Sequence, residues 1–590
     1  MTTVFSCFQE KFFTKLSKSG TFPYGFSLAY NGKSLFAGPD FRRGLWKQER
    51  TSGAMEKKVS LKDLLIITIL AIVMLGIGTD LIPLTAPDEG RNASAAWNML
   101  SSGDFLTPVF NGIPRLIKPP LLYYLMLPFM VLIGPCAAAA RMPSVVASVL
   151  MSLVLYFFGS RYFGRKTGLW ASLIWLTNIH VFLESRSAVP EMTLVLYQTL
   201  AFLLLIEGTG LTGKEISRGK IYTAWLCAGL AVLAKGPVGF LLPGLSAILC
   251  CLVLRGINGL MTFLKAAWIN RGPLFFIALV LPWYLAMFHI HGQLFIEEFF
   301  FMNNLARFTG AVEYHPYSFW EVYFPVLLLA FWFWHPWWLA SIGCLSGRYR
   351  QEKGFLEAFL LYSLIVLLFY ALAANKLHHY LLASYPGICL ALGYTISKAE
   401  RFSNLQSGVV AIQGILELSA GIYIFLTFAS SAEMPYVALA SMLMVLGIST
   451  LLLVLNRKAG TIWAFLGRGF LFLIILLSAA CSYGRVYAVD SAGDLMKGFP
   501  AALYRDEQSA LVFYSQKPLQ VLKNPGEIAD FMEGRRIGRI YGEEKVLIKD
   551  LQTMEEYRSR VIWKGLNEGN RSVIVELKKE NPTGHVTQCK

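Results

Sequence analysis

Charge is what this sequence has least of. Asp, Glu, Lys and Arg make up 15% of its 590 residues, while 55% are hydrophobic. A water-soluble domain of this length could not cover that much apolar surface, so an integral membrane protein is the class that remains. Cysteine pairing is also absent. The nine cysteines show no CxxC or Cys/His ligand spacing, and most sit inside apolar runs (Cys136, Cys227, Cys250, Cys251, Cys344, Cys389, Cys481). That excludes a disulfide framework and a cysteine-based zinc site. No nucleotide-binding loop of the GxxxxGKS or GxGxxG type is expected. The net charge of +16 forms no continuous basic patch, because the Lys and Arg lie in short loops between apolar runs. Positive cytoplasmic loops and lipid phosphates account for it, and nucleic acid is not an expected partner.

The first 54 residues are mixed polar and aromatic and lack a signal-peptide core. Met55-Glu56-Lys57-Lys58 followed by an apolar helix resembles an ordinary start for a membrane protein. Residues 1–54 are therefore expected to be disordered or not made, with translation beginning at Met55.

A span needs about 20 apolar residues. Candidates lie near 62–84, 142–160, 168–183, 193–207, 222–235, 237–254, 273–290, 320–345, 355–374, 380–397, 409–429, 434–455 and 462–483, about thirteen crossings. The apolar piece 121–134 is ambiguous, being short, interrupted by Pro128 and preceded by Pro119-Pro120. If it lies at the interface and the N-terminus is cytoplasmic, the basic clusters all fall inside. These are Arg161/Arg165/Lys166, Lys214/Arg218/Lys220, Arg255/Lys265/Arg271, Arg348/Arg350/Lys353, Lys398/Arg401 and Arg457/Lys458, and the positive-inside rule requires that placement.

The opposite, external face then holds Asp88/Glu89, Lys118, Arg141, Glu184/Arg186/Glu191, Lys235, Arg307, His315 and Asn375-Lys376-Leu377-His378-His379-Tyr380. The tail from about 485 falls outside too and reads as a small α/β domain, with strand-like runs at 510–514, 545–548 and 572–577. The expected architecture is an all-α polytopic membrane protein with a small C-terminal α/β periplasmic domain. Residues 55–484 form the membrane domain, 85–141 its external loop with interfacial helices, and 485–590 the soluble domain.

Carboxylates at the rim of an apolar bundle can act as a general base on an acceptor hydroxyl or stabilise a positive sugar-like transition state. The isolated cations beside them can bind phosphate oxygens, and ionisable groups at membrane depth are costly enough to suggest function. A phosphorylated lipid is the ligand such a set fits. Each feature also has a plainer reading. Asp88 caps a surface helix, Lys118 snorkels, Glu184, Arg186 and Glu191 form a solvated turn, and Lys235-Gly236-Pro237 breaks a helix. His289-Ile290-His291 reads as interfacial rather than metal-binding, and the aromatic run 331–338 as packing or lipid-facing rather than a sugar platform.

In order along the chain, Pro87-Asp88-Glu89-Gly90-Arg91, the 103–112 loop, Lys118-Pro119-Pro120-Leu121, Arg141-Met142-Pro143-Ser144, Lys235-Gly236-Pro237, Asn304-Leu305-Ala306-Arg307-Phe308 and Asn375–Leu382 resemble one family. It is the polyprenyl-phosphate-dependent glycosyltransferases of the aminoarabinose transferase and protein mannosyltransferase superfamily, of GT-C fold. The resemblance runs from about residue 80 to 400. It implies that Asp88 is the essential acid, with Glu191 assisting where the family usually has Asp. It implies that Lys118 and Arg307 hold the donor's lipid-linked phosphate; Glu89, Arg141, Lys235, Lys376, His379 and Tyr380 are the other expected substrate-binding residues. It also implies a periplasmic C-terminal domain over the cavity. Aminoarabinose transferases carry Glu before the Lys-Pro-Pro turn and His three residues before the Arg-Phe pair, where a divalent metal binds. Here those positions are Ile117 and Asn304, so the resemblance establishes no cofactor; a divalent metal stays open, without its usual ligands.

The expected activity is transfer of a monosaccharide from a polyprenyl-phosphate donor to an acceptor on the periplasmic face of a bacterial inner membrane. Lipid A with an aminoarabinose-type sugar is the favoured pair, and a protein or surface polysaccharide is the alternative acceptor. A flippase for a polyprenyl-linked sugar fits less well, because the halves show no repeat and the polar motifs gather at one face rather than the midplane.

Overall fold

In the computed structural model the described residues run from 59 to 579, apart from 85–86, 212–214, 270, 311–316, 339–340, 342–352, 399–403, 429–433, 456–465, 478–488, 555 and 568–569. Residues 1–54, Met55, His315 and the basic residues Lys214, Arg348, Arg350, Arg401, Arg457 and Lys458 lie outside them.

Apolar helices make up the body of the chain, as its composition requires. In order they are α1 (Leu61–Gly76), a surface helix α2 (Pro87–Ser102), a small hairpin of β1 (Val109–Phe110) and β2 (Ile113–Pro114), α3 (Leu121–Ile133), α4 (Ala137–Phe163), α5 (Arg165–Leu176), α6 (Ile179–Glu184), α7 (Glu191–Gly208), α8 (Arg218–Lys235), α9 (Val238–Ile269), α10 (Gly272–His291), α11 (Phe319–Ala330), α12 (Lys353–Leu372), α13 (Tyr385–Lys398), α14 (Asn404–Phe428) and α15 (Met434–Leu455). A further apolar helix covers Leu466–Leu477. Among the described residues seven helices are long and apolar enough to cross a membrane, so the chain is a multi-pass membrane protein. Others are shorter than expected. The first is helical only to Gly76, and the expected 168–183 span divides at Asn178, whose side chain caps α6 by accepting from Val181 N. The expected 237–254 helix continues to Ile269 across a break at Gly256.

Helix α3 has 13 residues, about 20 Å at 1.5 Å per residue. That is short of the ~30 Å hydrocarbon core, in keeping with an interfacial element. Among the described residues, Arg161, Arg165, Lys220 and Arg255, all assigned to one face, gather at one end. Arg165 pairs with Asp63 of α1 at 2.5 Å, Lys220 and Arg161 pair with Glu207 at 2.7 and 3.6 Å, and Arg255 donates to Leu211 O. The acidic motif and its partners occupy the other end.

One ion pair lies well inside the helical body. Arg468 donates to both carboxylate oxygens of Glu417 at 2.8 Å, and Thr450 and the Trp332 indole donate to the same carboxylate. The aromatic run packs against the core: Phe331, Phe333, Trp334 and Trp337 are buried, as packing rather than as a platform.

After α16 (Leu466–Leu477), the tail folds into α17 (Val489–Met496), β3 (Ala501–Tyr504), α18 (Ser509–Ser515), β4 (Gln520–Leu522), α19 (Pro525–Met532), β5 (Ile537–Glu543), α20 (Glu544–Leu551), β6 (Tyr557–Asn567) and β7 (Asn570–Lys579). Its five-stranded sheet has the order β4-β3-β5-β7-β6, parallel through β3 and antiparallel beyond β5. Two of the three expected strands are helices. The run 510–514 is buried on nearly every side within α18, and such a short apolar run has no period to betray it. The run 545–548 belongs to α20, where Leu547 and Leu551 are buried at i,i+4.

This domain sits directly on α2. Ser509 Oγ donates to Pro87 O at 2.7 Å, Tyr514 OH accepts from Leu84 N at 2.9 Å, and Asn111 exchanges two hydrogen bonds with Leu519. The approach is closest at Gly90, where an added Cβ would lie 2.4 Å from Ala510 N. Gly90→Val is expected to push the domain off its seat and cost about 1–3 kcal/mol, as overpacking does. A lower unfolding temperature and faster proteolytic release of the C-terminal segment would register it; wild-type values for both would contradict the contact.

Candidate active site

The acidic motif opens a helix, and each residue in it has separate work. Pro87 takes the first helical position, where its missing N–H is no loss. Asp88 turns its half-buried carboxylate toward two cations: Lys118 Nζ donates to Oδ2 at 3.1 Å and Arg115 Nη2 lies 3.3 Å from Oδ1. Glu89 faces the other way and is buried. Gly90 admits the C-terminal domain, and Arg91 reaches Glu507 of that domain at 3.8 Å.

Local geometry brings Lys118 and Arg115 to Asp88. Asn111 and Gly112 both have positive φ (51° and 81°), the requirement of a two-residue hairpin turn, which Asn-Gly meets best. The turn reverses the chain so that Arg115 N donates to Pro108 O at 2.7 Å. Pro119-Pro120 then ends the extended stretch and α3 begins. Arg115 also contacts Asn92 on the next turn of α2 at 3.4 Å, while its Nε is buried without a hydrogen-bond partner among the described residues. The Lys118 charge holds Asp88 far below the usual carboxylate range, against the opposing effect of burial. Burial pulls Lys118 below its ordinary value, although Asp88 resists the shift.

A second cluster adjoins the first. Glu191 opens α7 and accepts from Lys235, the last residue of α8, at 2.6 Å. His379 Nε2 stands 3.2 Å from the same oxygen. Lys235 lies 4.7 Å over the Tyr380 ring, which stacks on Tyr370. Oε2 of Glu191 is buried with no hydrogen-bond partner among the described residues. The clusters are close enough for Glu191 to act on Lys118 and His379 on Asp88. Glu184 and Arg186, for which a solvated turn was one reading, are both buried. His291, read as interfacial, bonds to Thr107 at 3.0 Å.

Four residues expected to contact substrate are used otherwise or stand apart. Arg141 spends all five N–H donors inside the protein: two on Glu89 at 2.9 Å, two on the carbonyls of Thr79 and Ile82, and one on that of Pro83. With both partners about 95% buried, neither Arg141 nor Glu89 offers a ligand contact. Breaking such a pair costs roughly 3–5 kcal/mol. Lys376 Nζ donates to Ala373 O at 2.7 Å. Arg307 follows the helical segment Ile296–Ala306; Asn375 donates to its carbonyl at 2.7 Å and Ala374 N to Phe308 O at 3.0 Å. Those two bonds set the Arg307 segment beside the loop that carries His379.

Arg115 is the site residue that sequence reasoning misses. The hairpin turn at Asn111-Gly112 was the signal that could have found it. The chain does hold a G-x-G-x-x-G spacing at 208–213. It closes membrane helix α7 rather than following a strand, so the context for dinucleotide binding is missing. The positions where the resembling subgroup binds metal do not fit one. Ile117 has no ligand atom in its side chain, its carbonyl accepts from Asn303, and the Asn304 amide donates to Phe299 O at 2.6 Å.

The family described as dolichyl-phosphate-mannose-protein mannosyltransferase matches residues 117–285. An uncharacterized protein of Aquifex aeolicus is 32% identical over 367 residues, covering 62% of this chain and 80% of that protein. The undecaprenyl phosphate-alpha-4-amino-4-deoxy-L-arabinose arabinosyl transferase of Pectobacterium carotovorum is 28% identical over 397 residues, 62% of this chain and 67% of the enzyme. Among solved structures, ArnT from Cupriavidus metallidurans bound to undecaprenyl phosphate aligns with TM-score 0.70 at 18% identity, over 88% of this chain and 98% of that one. The ordered motifs, the helical fold and these likenesses converge: the chain is a glycosyltransferase and belongs to the polyprenyl-phosphate-dependent GT-C superfamily of aminoarabinose and protein mannosyltransferases.

Proposed function

We propose that this protein moves an aminoarabinose-type monosaccharide from a polyprenyl-phosphate carrier to lipid A on the periplasmic face of the inner membrane. The observation that carries the reading is the pair of cations, Lys118 and Arg115, converging on one carboxylate, Asp88. Two positive charges against one negative leave a net cation, and a lipid phosphate is the anion that complements it. The names of the curated relatives support the donor and the sugar, and a protein or polysaccharide hydroxyl is the alternative acceptor.

In the resting arrangement Asp88 is a poor base, because its neighbours stabilise the charged form. A donor phosphate competes for the same two cations. As Lys118 and Arg115 turn to the phosphate, Asp88 loses their stabilisation and its proton affinity rises. The acceptor oxygen then attacks the anomeric carbon and gives its proton to Asp88, while the bond from that carbon to the carrier phosphate breaks. The phosphate leaves as an anion held by the cations, so no acid need protonate it. Glu191, with one oxygen held by Lys235 and His379 and the other buried and unpaired, is placed to orient a hydroxyl of donor or acceptor.

Asp88→Asn and Lys118→Ala should each lower release of polyprenyl phosphate from a glycosylated carrier by at least about 100-fold. The assay runs on folded protein in detergent, where transport alone yields no product; wild-type turnover by either variant would remove the mechanism. Lipid A from a strain lacking the gene should lose the sugar; loss from glycoproteins or surface polysaccharide instead would move the acceptor.

The pH profile follows from the same pair. Asp88 is depressed, so its charge persists throughout the assay range and it adds no acidic limb above about pH 4 in the resting enzyme. Lys118 is lowered by burial, so its cation is lost as pH rises through a value below the ordinary ~10.4 of lysine. Donor binding should weaken along that alkaline limb. Lys118→Arg, which stays charged, should shift the limb upward; an unmoved limb would show that Lys118 does not set it.

A further inference from the structure

A group of side chains behind Glu191 has no part in this mechanism. His180 and Glu184 stand one helical turn apart on α6, so they share a face, and His378 meets them from the loop before α13. His180 Nε2 lies 3.2 Å from His378 Nδ1 and 3.6 Å from Glu184 Oε1, and His378 Nδ1 lies 3.3 Å from that same oxygen. Four-coordinate zinc with bonds near 2.0–2.1 Å sets its ligand atoms about 3.3–3.4 Å apart. The three atoms therefore already outline one face of such a tetrahedron. Two imidazoles and a carboxylate are also a donor set that divalent zinc favours over calcium or magnesium.

The surroundings agree. His180 Nδ1 is 2.8 Å from Tyr385 OH, so its outer nitrogen is engaged and Nε2 is left to face the other two. This is the support that metal-binding histidines ordinarily have. Asn178 caps α6 and fixes the helix that carries two of the three groups. His180 and Glu184 are buried, while the His378 side chain is 31% exposed.

We propose that His180, Glu184 and His378 bind one divalent transition metal ion of the zinc class. The site is distinct from the Ile117 and Asn304 positions and does not rest on the sugar-transfer reading. Its role is positional. The ion ties α6 to the 378–384 turn, and the next residue in that turn is His379, which contacts Glu191 at 3.2 Å.

The test uses full-length protein in detergent, stripped with a chelator, dialysed and reloaded with zinc chloride alone. Wild type should take up about one zinc per chain, counted by mass spectrometry after desalting. His378→Ala and the isosteric Glu184→Gln should each lower that content at least tenfold, while Asn304→Ala keeps it. Cobalt loading of wild type should give the intense visible bands of a four-coordinate ion, a readout that depends on no variant. Wild type that holds neither metal would overturn the proposal, leaving a hydrogen-bonded cluster of two histidines and a glutamate. Full zinc content in both ligand variants, with monodisperse protein, would also overturn it.

Discussion

The motif-bearing end of this protein hangs on one buried guanidinium. Arg141 stands near the start of α4 and gathers the carbonyls of Thr79, Ile82 and Pro83 as well as both oxygens of Glu89. The chain leaving α1 is thus closed around it, and α2 is fixed through its second acidic residue. Glu89 also accepts from Ala188 N, which ties the turn before α7. With α2 held in rotation, Asp88 can point only to the opposite side, where the hairpin delivers Arg115 and Lys118. The neighbouring carboxylates therefore divide the labour: one is buried to position the helix, and the other is left half-exposed beside two cations.

That division gives the site its electrostatic logic. A carboxylate with two cations is stable at rest and weakly basic, and it becomes basic only when an anion takes the cations away. In the proposed reaction, coupling the base to arrival of the donor phosphate keeps it idle toward water when no donor is present. In the proposed reaction the cations serve twice, masking Asp88 before binding and stabilising the leaving phosphate afterwards. The single net positive charge fits a phosphate diester, which carries one negative charge.

Much of the membrane body was legible because span length is a property of continuous stretches, and the apolar runs near a bilayer's width are largely helical where they are described, though the first stops at Gly76 and the 168–183 run divides at Asn178. The opposition of basic loops and motifs was legible for the same reason, since charge clusters mark helix ends. What escaped needed contacts across the chain. Arg141 reads the same in sequence whether it faces a ligand or a ring of carbonyls. Arg115 looked like one cation in an apolar hairpin until Asp88 was set beside it. His180 and His378 are nearly two hundred residues apart, and nothing local announces their meeting. In the tail, the apolar segment 510–514 could be read as strand or helix, and its burial against α2 decided for helix.

The glycine of the acidic motif shows how far the site depends on the tail. A side chain there would strike the backbone of α18, so the motif's composition is set partly by a domain more than four hundred residues away. The same domain holds the hairpin turn through Asn111, whose side chain both donates to and accepts from Leu519. It therefore grips α2 and the Arg115–Lys118 stretch independently, one on each side of Asp88. The distance between acid and cations is then fixed by a shared support rather than by the short loop that joins them. A tail displaced from this seat would loosen both at once, and the geometry around Asp88 would fail even with every residue that touches it unchanged.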